Sequence, residues 1–322
     1  INCYDTGTAP CKTACPAHIA VQGYLKMAAQ GRYRDALALI KKENPFPAVC
    51  GRICNRRCED ACTRGTVDQA VAIDAVKKFI AQQDLTAEHR YVPPVVQPSL
   101  QGPWQQKIAI IGGGPAGLSC AYFLALQGYK PTVFERNPHP GGMLRYGIPS
   151  FKLEKDVIDA EIEILQELGV EIRCGVDVGR DVTLVDLRAD GYKAFYVAIG
   201  CQGGRKAGVP GEDAEGIQTA VTLLRTVGDD EHYKMSGKTV VIGGGNVAID
   251  AARVSLRCGA DEVTMVCLEP RDGMPASDEE IAEAEAEGTA IRCGYGPKEF
   301  VTENGRVTAV VLKKCTSLYN AE

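Results

Sequence analysis

The sequence predicts an α/β chain in which a helical, cysteine-rich N-terminal domain is followed by two Rossmann-like dinucleotide-binding domains. Three observations carry that prediction. KIAIIGGGPAGLSCAYFLALQGYKPTVFER, over 107–136, reads strand, glycine turn, helix, strand. KTVVIGGGNVAIDAARVSLRCGADEVTMVCLEP, over 238–270, repeats it, and the leading glycines Gly112 and Gly243 are 131 residues apart. Half of the fourteen cysteines, moreover, fall within the first 62 residues.

The N-terminal unit comes first. Apolar residues recur at helical spacing over 19–42, with a break near Gly31, and again over 70–82, with a cysteine-rich loop between. Pro93, Pro94, Pro98 and Pro103 then mark an extended linker. The expected divisions are 1–100 for the helical domain and linker, 101–204 for the first dinucleotide-binding domain and 205–322 for the second. YKAFYVAIG, over 192–200, reads as a buried strand and GVPGED, over 208–213, as a turn. Ser277 with Glu280 is placed to form a capping box for a helix that Gly288 ends, its acidic run facing solvent.

Each glycine turn follows an apolar strand and opens a helix, the context that a lone G-x-G-x-x-G lacks. Gly112 permits the tight turn and Gly114 the approach of a pyrophosphate. Gly117 permits close packing of helix on strand. Pro115 suits the first helical turn, and with Ala116 it opens the helix whose N–H groups face a phosphate. Glu135, at the end of the next strand, is placed to accept from an adenosine ribose. In the second copy these roles fall to Gly243, Gly245 and Ala248, with Asn246 and Val247 opening the helix and Glu269 at the strand end. A carboxylate at Glu269 welcomes a 2′-hydroxyl and repels a 2′-phosphate, so NAD(H) is preferred over NADP(H). The competing readings are a solvent-facing Glu269 and an Arg271 that takes the phosphate. Two dinucleotide sites suit hydride transfer between nicotinamide and flavin, which needs stacking and orientation more than a protein acid or base. No catalytic side chain is therefore assigned.

Cys50, Cys54, Cys58 and Cys62 recur every four residues, Cys11 and Cys15 share that interval, and Cys3 precedes them. Structural zinc favours C-x2-C knuckles or histidine partners, and only His18 lies nearby. Iron–sulfur clusters accept looser spacings and, beside a flavin, carry electrons singly; they are favoured over zinc, with free or disulfide-bonded cysteines third. Cys120, Cys174, Cys201, Cys258, Cys267, Cys293 and Cys315 form no C-x-x-C or C-x4-C pair, which disfavours a flavin-linked redox disulfide and leaves them as small buried hydrophobes.

Composition bounds the rest. Apolar content of 45%, charged content of 24% and a net charge of −5 are ordinary for a soluble globular protein, and the lack of a basic block argues against nucleic acid and anionic membrane as partners. The most apolar stretch, 107–128, contains the first glycine turn and so is no membrane span. The chain opens at Ile1 without a signal-peptide pattern, so a preceding segment is expected to be missing and the setting is read as cytoplasmic.

These pieces in this order resemble the small subunit of NADPH-dependent glutamate synthase and the N-terminal part of dihydropyrimidine dehydrogenase. The similarity covers the whole chain and rests on C-x7-C-x3-C-P, CGRIC…CEDAC, AVAIDAVKKFI, GGGPAG, GGMLRYGIPSFKLEKDV, FYVAIG, VPGED, VVIGGGNVAIDAAR and DGMPAS. The resemblance implies two [4Fe–4S] clusters in the N-terminal domain, FAD at the first turn and a nicotinamide nucleotide at the second. It implies that Gly141, Gly142 and Leu144 lie along the flavin. It assigns Cys3, Cys11 and Cys62, with a residue at or near Thr6, to one cluster. Cys15, Cys54 and Cys58 go to the other, with a fourth ligand where Lys77 stands. Relatives often carry Cys at Thr6 and Glu or Gln at Lys77; lysine is a poor ligand, so either Cys50 takes one vacant seat or one cluster is altered or absent. NADPH-reading relatives carry an arginine pair where Leu268 and Glu269 fall, which again favours NAD(H). Relatives also return to the flavin domain beyond the second nucleotide domain, so both dinucleotide domains are expected to be incomplete here. The expected function is an electron-transfer flavoprotein module serving a partner domain or subunit, whether ferredoxin-like, flavoprotein or larger oxidoreductase subunit. The alternative is a non-catalytic assembly or scaffold module with vestigial cofactor sites.

Overall fold

The computed structural model describes residues 8–97, 104–230 and 232–318. These divide into two compact units, one of residues 1–145 with 150–200, the other of 146–149 with 201–322.

Among the described residues the first unit opens with six α-helices: α1 (Pro10–Ala14), α2 (Val21–Ala29), α3 (Tyr33–Lys41), α4 (Pro47–Ile53), α5 (Arg57–Asp60) and α6 (Ile73–Leu85). Val21, Tyr24, Ala36, Leu37, Ile40, Ile73 and Ile80 form their shared core, each facing inward at helical spacing. The break expected near Gly31 is the α2–α3 turn, where Gly31 takes a left-handed φ of +73°. The segment read as a cysteine-rich loop is largely helical. α4 begins on Pro47, α5 follows a left-handed Arg56, and a 3₁₀ turn spans Thr63–Thr66. Helices of seven and four residues are too short to show a periodic stripe.

The α/β part of this unit runs β1 (Lys107–Ile111), α7 (Pro115–Leu126), β2 (Pro131–Glu135), α8 (Met143–Tyr146), α9 (Lys155–Glu167), β3 (Glu171–Cys174), α10 (Leu184–Ala189) and β4 (Tyr192–Val197). Its strands form a parallel sheet in the order β3-β2-β1-β4. β4 departs from the buried strand expected over 192–200. It lies at the sheet edge, and Val197 is 61% exposed. An apolar run signals burial only where a further layer or strand covers it.

The helical layer is bolted to this sheet domain through charge. Lys41, at the end of α3, lies 3.5 Å from Glu161 on α9, and both side chains are buried. Arg90 reaches Glu161 at 3.7 Å and Asp84 at 3.1 Å, and it also donates to the Ala160 carbonyl. Tyr122 on α7 donates its hydroxyl to the Lys41 carbonyl at 2.7 Å, and Arg52 pairs with Glu154 at 2.6 Å.

The second unit contains α11 (Ala220–Asp229), β5 (Lys238–Ile242), α12 (Asn246–Arg257), β6 (Glu262–Cys267), α13 (Asp278–Ala286), β7 (Ala290–Cys293), β8 (Tyr295–Glu303) and β9 (Arg306–Lys314). β5, β6 and β7 form a parallel sheet in that order, and β8–β9 is an antiparallel ribbon. Leu223, Val241, Ile249, Val263, Met265 and Ile281 fill the core between sheet and helices. Ser277 Oγ accepts from the Glu280 N–H to start α13, and Gly288, at φ +103°, follows its end. Among the described residues no helix is long and apolar enough to cross a membrane.

Candidate cofactor sites

The first glycine turn is shaped by backbone contacts that exclude any larger residue. Gly112 has φ +109°, and a Cβ there would lie 2.3 Å from the Ala198 carbonyl oxygen. At Gly117 a Cβ would lie 1.9 Å from the Gly112 oxygen, so α7 packs directly on the turn. Gly114 is the extended N-cap of α7, and Pro115 and Ala116 are exposed at the helix mouth. Gly142, at φ +53°, brings its backbone so close that a Cβ would stand 2.7 Å from the Gly114 Cα. Gly141 N donates to the Gly113 carbonyl at 2.7 Å, and Leu144 N to the Gly141 carbonyl at 3.1 Å. The segment containing Gly141, Gly142 and Leu144 is thus laid against the turn.

Glu135 ends β2 facing the same turn. Its Oε2 accepts from Gly113 N at 2.7 Å, and its Oε1 from Asn137 N at 2.8 Å and Asn137 Nδ2 at 2.7 Å. Three donors hold a buried carboxylate in one orientation.

The second turn reproduces this geometry. Gly243, at φ +141°, donates to the Val266 carbonyl at 2.9 Å, and Gly245 is the extended N-cap of α12. Asn246 begins that helix and accepts from Ser277 N at 3.1 Å, and Val247 is exposed beside it. Ala248, in the place of the third glycine, packs its methyl where Gly243 leaves room. A Cβ on Gly244 would stand 3.0 Å from Glu269 Oε2; a Cβ on the matching Gly113 would stand 3.0 Å from Glu135 Oε2. In both copies, then, a strand-end carboxylate sits over the middle glycine. Arg271 is engaged elsewhere, paired with Glu285 at 2.6 Å.

Six of the seven N-terminal cysteines lie in the described residues, all as unbridged thiols. Cys3 and Thr6 lie outside them. Cys11 is buried on α1, Cys15 follows that helix, Cys50 is on α4 with Sγ 3.7 Å from Asn44 Oδ1, and Cys54 caps α4. Cys58 lies in α5, and Cys62 precedes the 3₁₀ turn beside Arg64. Tyr24 marks where several meet. Its phenol is pushed far up by burial and by the neighbouring Cys58, Asp74, Cys15 and Cys11. The Cys58 thiol is pushed up to about 11 by burial and by Cys54, Glu59 and Cys15, against the pull of Lys77. Cys15, Cys54 and Cys58 therefore share one neighbourhood, with Cys50 and Lys77 at its margin.

Lys77 is 6% exposed and 2.6 Å from Asp74 Oδ1. Burial works against its ammonium, but Asp74, Cys54 and Cys50 outweigh it and hold the group above the ordinary lysine range. A lysine kept charged has no lone pair for iron. The Asp74–Lys77 pair lies one helical turn apart on α6, a spacing carried by the sequence itself.

No three His, Cys, Asp or Glu side chains among the described residues meet on a point that would hold one ion. A single zinc requires such a point.

One pairing escaped the sequence entirely. Cys267 and Cys293 are register partners on β6 and β7. Spacing rules for paired cysteines address one segment, whereas strand register brings together residues distant in sequence.

Comparison with known proteins identifies the family of the chain. A family profile described as pyridine nucleotide-disulphide oxidoreductase matches residues 106–321. One described as dihydropyrimidine dehydrogenase domain II, 4Fe-4S cluster, matches residues 1–89. NADP(+)-dependent formate dehydrogenase subunit beta of Moorella thermoacetica is 40% identical over 319 residues, covering 93% of this chain and 45% of that one. The glutamate synthase (NADPH) small chain of Escherichia coli strain K12 is 37% identical, with 96% and 67% covered. NAD-dependent dihydropyrimidine dehydrogenase subunit PreT of the same strain is 34% identical, with 95% and 72% covered. The chain thus spans about half the length of the formate dehydrogenase subunit. Among solved structures, Mycobacterium tuberculosis FprA in complex with NADPH shares the fold at a TM-score of 0.55 and 22% identity, over 65% of this chain and 63% of that one.

Proposed function

Because the chain belongs to the pyridine nucleotide-disulphide oxidoreductase family, with an iron–sulfur domain ahead of it, we propose that it is an electron-transfer module. It exchanges hydride between NAD(H) and FAD and passes single electrons through [4Fe–4S] clusters to a partner domain or subunit. The supporting observation is the duplicated turn, with Glu135 and Glu269 each set over the middle glycine of a strand–turn–helix.

In this reading residues 1–100 carry the clusters, 101–204 the flavin and 205–322 the nicotinamide nucleotide. FAD lies along Gly112, Gly114, Pro115, Ala116 and Gly117, with Gly141, Gly142 and Leu144 beside it. Glu135 orients the adenosine ribose, and the first turn of α7 faces the pyrophosphate with its N–H groups. Gly243, Gly245, Asn246 and Val247 play the same part for the second nucleotide, with Glu269 on its ribose. Cys3, Cys11 and Cys62 hold one cluster and Cys15, Cys54 and Cys58 the other. When bound, flavin accepts an electron pair and releases electrons singly, and the clusters accept one at a time. The chain's own residues position, shield and tune; none donates or removes a proton.

NAD(H) is preferred because Glu269 presents a carboxylate where a 2′-phosphate would lie, while Arg271 is held by Glu285. The test is anaerobic purification with iron, sulfide and flavin assays, followed by titration with NADH and NADPH. The expected result is flavin and cluster absorbance bleached by NADH at about tenfold lower concentration than by NADPH, with that order reversed in Glu269→Arg. A folded protein without metal or flavin would instead support the scaffold, and bleaching by NADPH first would overturn the nucleotide assignment.

A further inference from the structure

Cys267 and Cys293 are directly opposed on adjacent parallel strands. Neighbouring strands run about 4.8 Å apart and paired residues point to the same face. That spacing falls within the roughly 4.4–6.8 Å between Cα atoms that a disulfide spans without backbone movement. Cys267 Sγ lies 3.6 Å from the Glu269 carbonyl oxygen. Cys293 Sγ is 3.8 Å from Met274 Sδ. The pair sits at the end of the sheet where the second glycine turn begins, and a Cβ on Gly244 would stand 3.0 Å from the Cys267 Cβ.

We propose that Cys267 and Cys293 form a reversible disulfide that weakens nucleotide binding at the second glycine turn. The inference rests on the reading of Glu269 as the ribose acceptor. The oxidant is a small-molecule disulfide. Cys293, half-buried and so the more accessible sulfur, attacks one sulfur of the oxidant as its thiolate. The S–S bond of the oxidant breaks, and its other half leaves as a thiolate that takes up a proton. Cys267 then attacks the Cys293 sulfur of the mixed disulfide, the protein S–S bond forms, and the second half of the oxidant leaves as a thiol. Two protein thiols are oxidised and one disulfide is reduced to two thiols. The buried Cys267 thiol is pushed up to about 12, by burial first and then by Cys293 and Glu269, so it stays inert until the mixed disulfide is beside it. Closure removes the thiol proton facing the Glu269 carbonyl and ties β6 to β7 directly beneath the carboxylate that orients the ribose.

The test uses the cofactor-loaded chain, purified anaerobically and incubated with oxidised glutathione. Remaining thiols are alkylated and peptides mapped by mass spectrometry, and NADH affinity is measured before oxidation, after it, and after dithiothreitol. The expected result is a linked Cys267–Cys293 peptide and a dissociation constant raised about fivefold or more, with iron and flavin content unchanged. Dithiothreitol restores the affinity, and Cys293→Ser keeps it throughout. Absence of the linked peptide, under conditions where the exposed Cys201 is fully glutathionylated, overturns the proposal. A linked peptide with unchanged affinity overturns it too. A reduced protein that binds no nucleotide overturns the reading of the second turn and with it the effect on binding, while the peptide map still decides the bridge on its own.

Discussion

The Lys77 ammonium is buried against Asp74 and faces Cys54 and Cys50. A fixed positive charge beside a group that gains an electron favours the reduced form. Replacing Lys77 with Met should lower the potential of the cluster proposed at Cys15, Cys54 and Cys58, by on the order of 50 mV for a partly compensated charge at effective dielectric constants near 20. Iron content should hold, because the lysine is not a ligand. Redox titration followed by electron paramagnetic resonance reads the shift, and an unchanged potential with intact clusters would show that Asp74 neutralises Lys77 completely. Residue chemistry of this kind was partly legible. Glu135 and Glu269 were found by counting along strand–turn–helix, since local geometry fixes that distance. The place of Lys77 beside these thiols followed from the resemblance, but its buried pairing with Asp74 did not.

Among the elements, α12 and the end of α13 are tied by one carboxylate. Glu287 lies 2.6 Å from Arg253 and 2.7 Å from Arg257, and Arg253 also pairs with Glu283. The Arg257 hydrogen bond first, then Arg253, pulls the Glu287 carboxyl down to about 2 from an ordinary 4.5. A depressed native value means that Glu287 contributes stability above the unfolded value and loses it as the carboxylate is protonated. The melting temperature of the second unit should therefore fall between pH 4.5 and 2, and Glu287→Gln should flatten that part of the profile. Circular dichroism melts across that range measure both, and superimposable profiles would remove the tie from the account. Elements were legible where their period was long enough. α2, α3 and α6 each run nine residues or more, and both glycine turns announce the helices that follow them. α4 and α5 are too short for that signal. The apolar run of β4 suggested burial that an edge strand does not have, and the partnership of Cys267 with Cys293 depends on register, which only the assembled sheet decides.

On the scale of the molecule, the buried Lys41, Glu161 and Asp84 and the half-buried Arg90 form one charge network between the helical layer and the sheet domain of the first unit. Burial pushes the Glu161 carboxyl up, while the Lys41 ammonium and the Arg90 guanidinium pull it back. Removing one partner leaves the others desolvated and under-compensated. Lys41→Ala should destabilise the first unit by about 3–5 kcal/mol, whereas Lys41→Met combined with Glu161→Leu should recover much of that loss. Urea unfolding followed by hydrogen exchange in α3 and α9 makes the measurement, and a single variant as stable as the parent would show that Arg90 suffices for Glu161. The network was invisible in the sequence because its members come from α3, α6, the segment after α6 and α9, and nothing local couples Lys41 or Glu161 to the Asp84–Arg90 pair.

That network also bears on how such chains are assembled from parts. A recombination event within 92–97, the described part of the proline-rich stretch, would look harmless by composition, since no helix or strand is cut there. It would nevertheless separate Lys41 and Arg90 from Glu161 and graft the front layer onto a neighbour lacking the matching carboxylate. Viable fusions should therefore inherit the cysteine layer and the sheet domain behind it as one block.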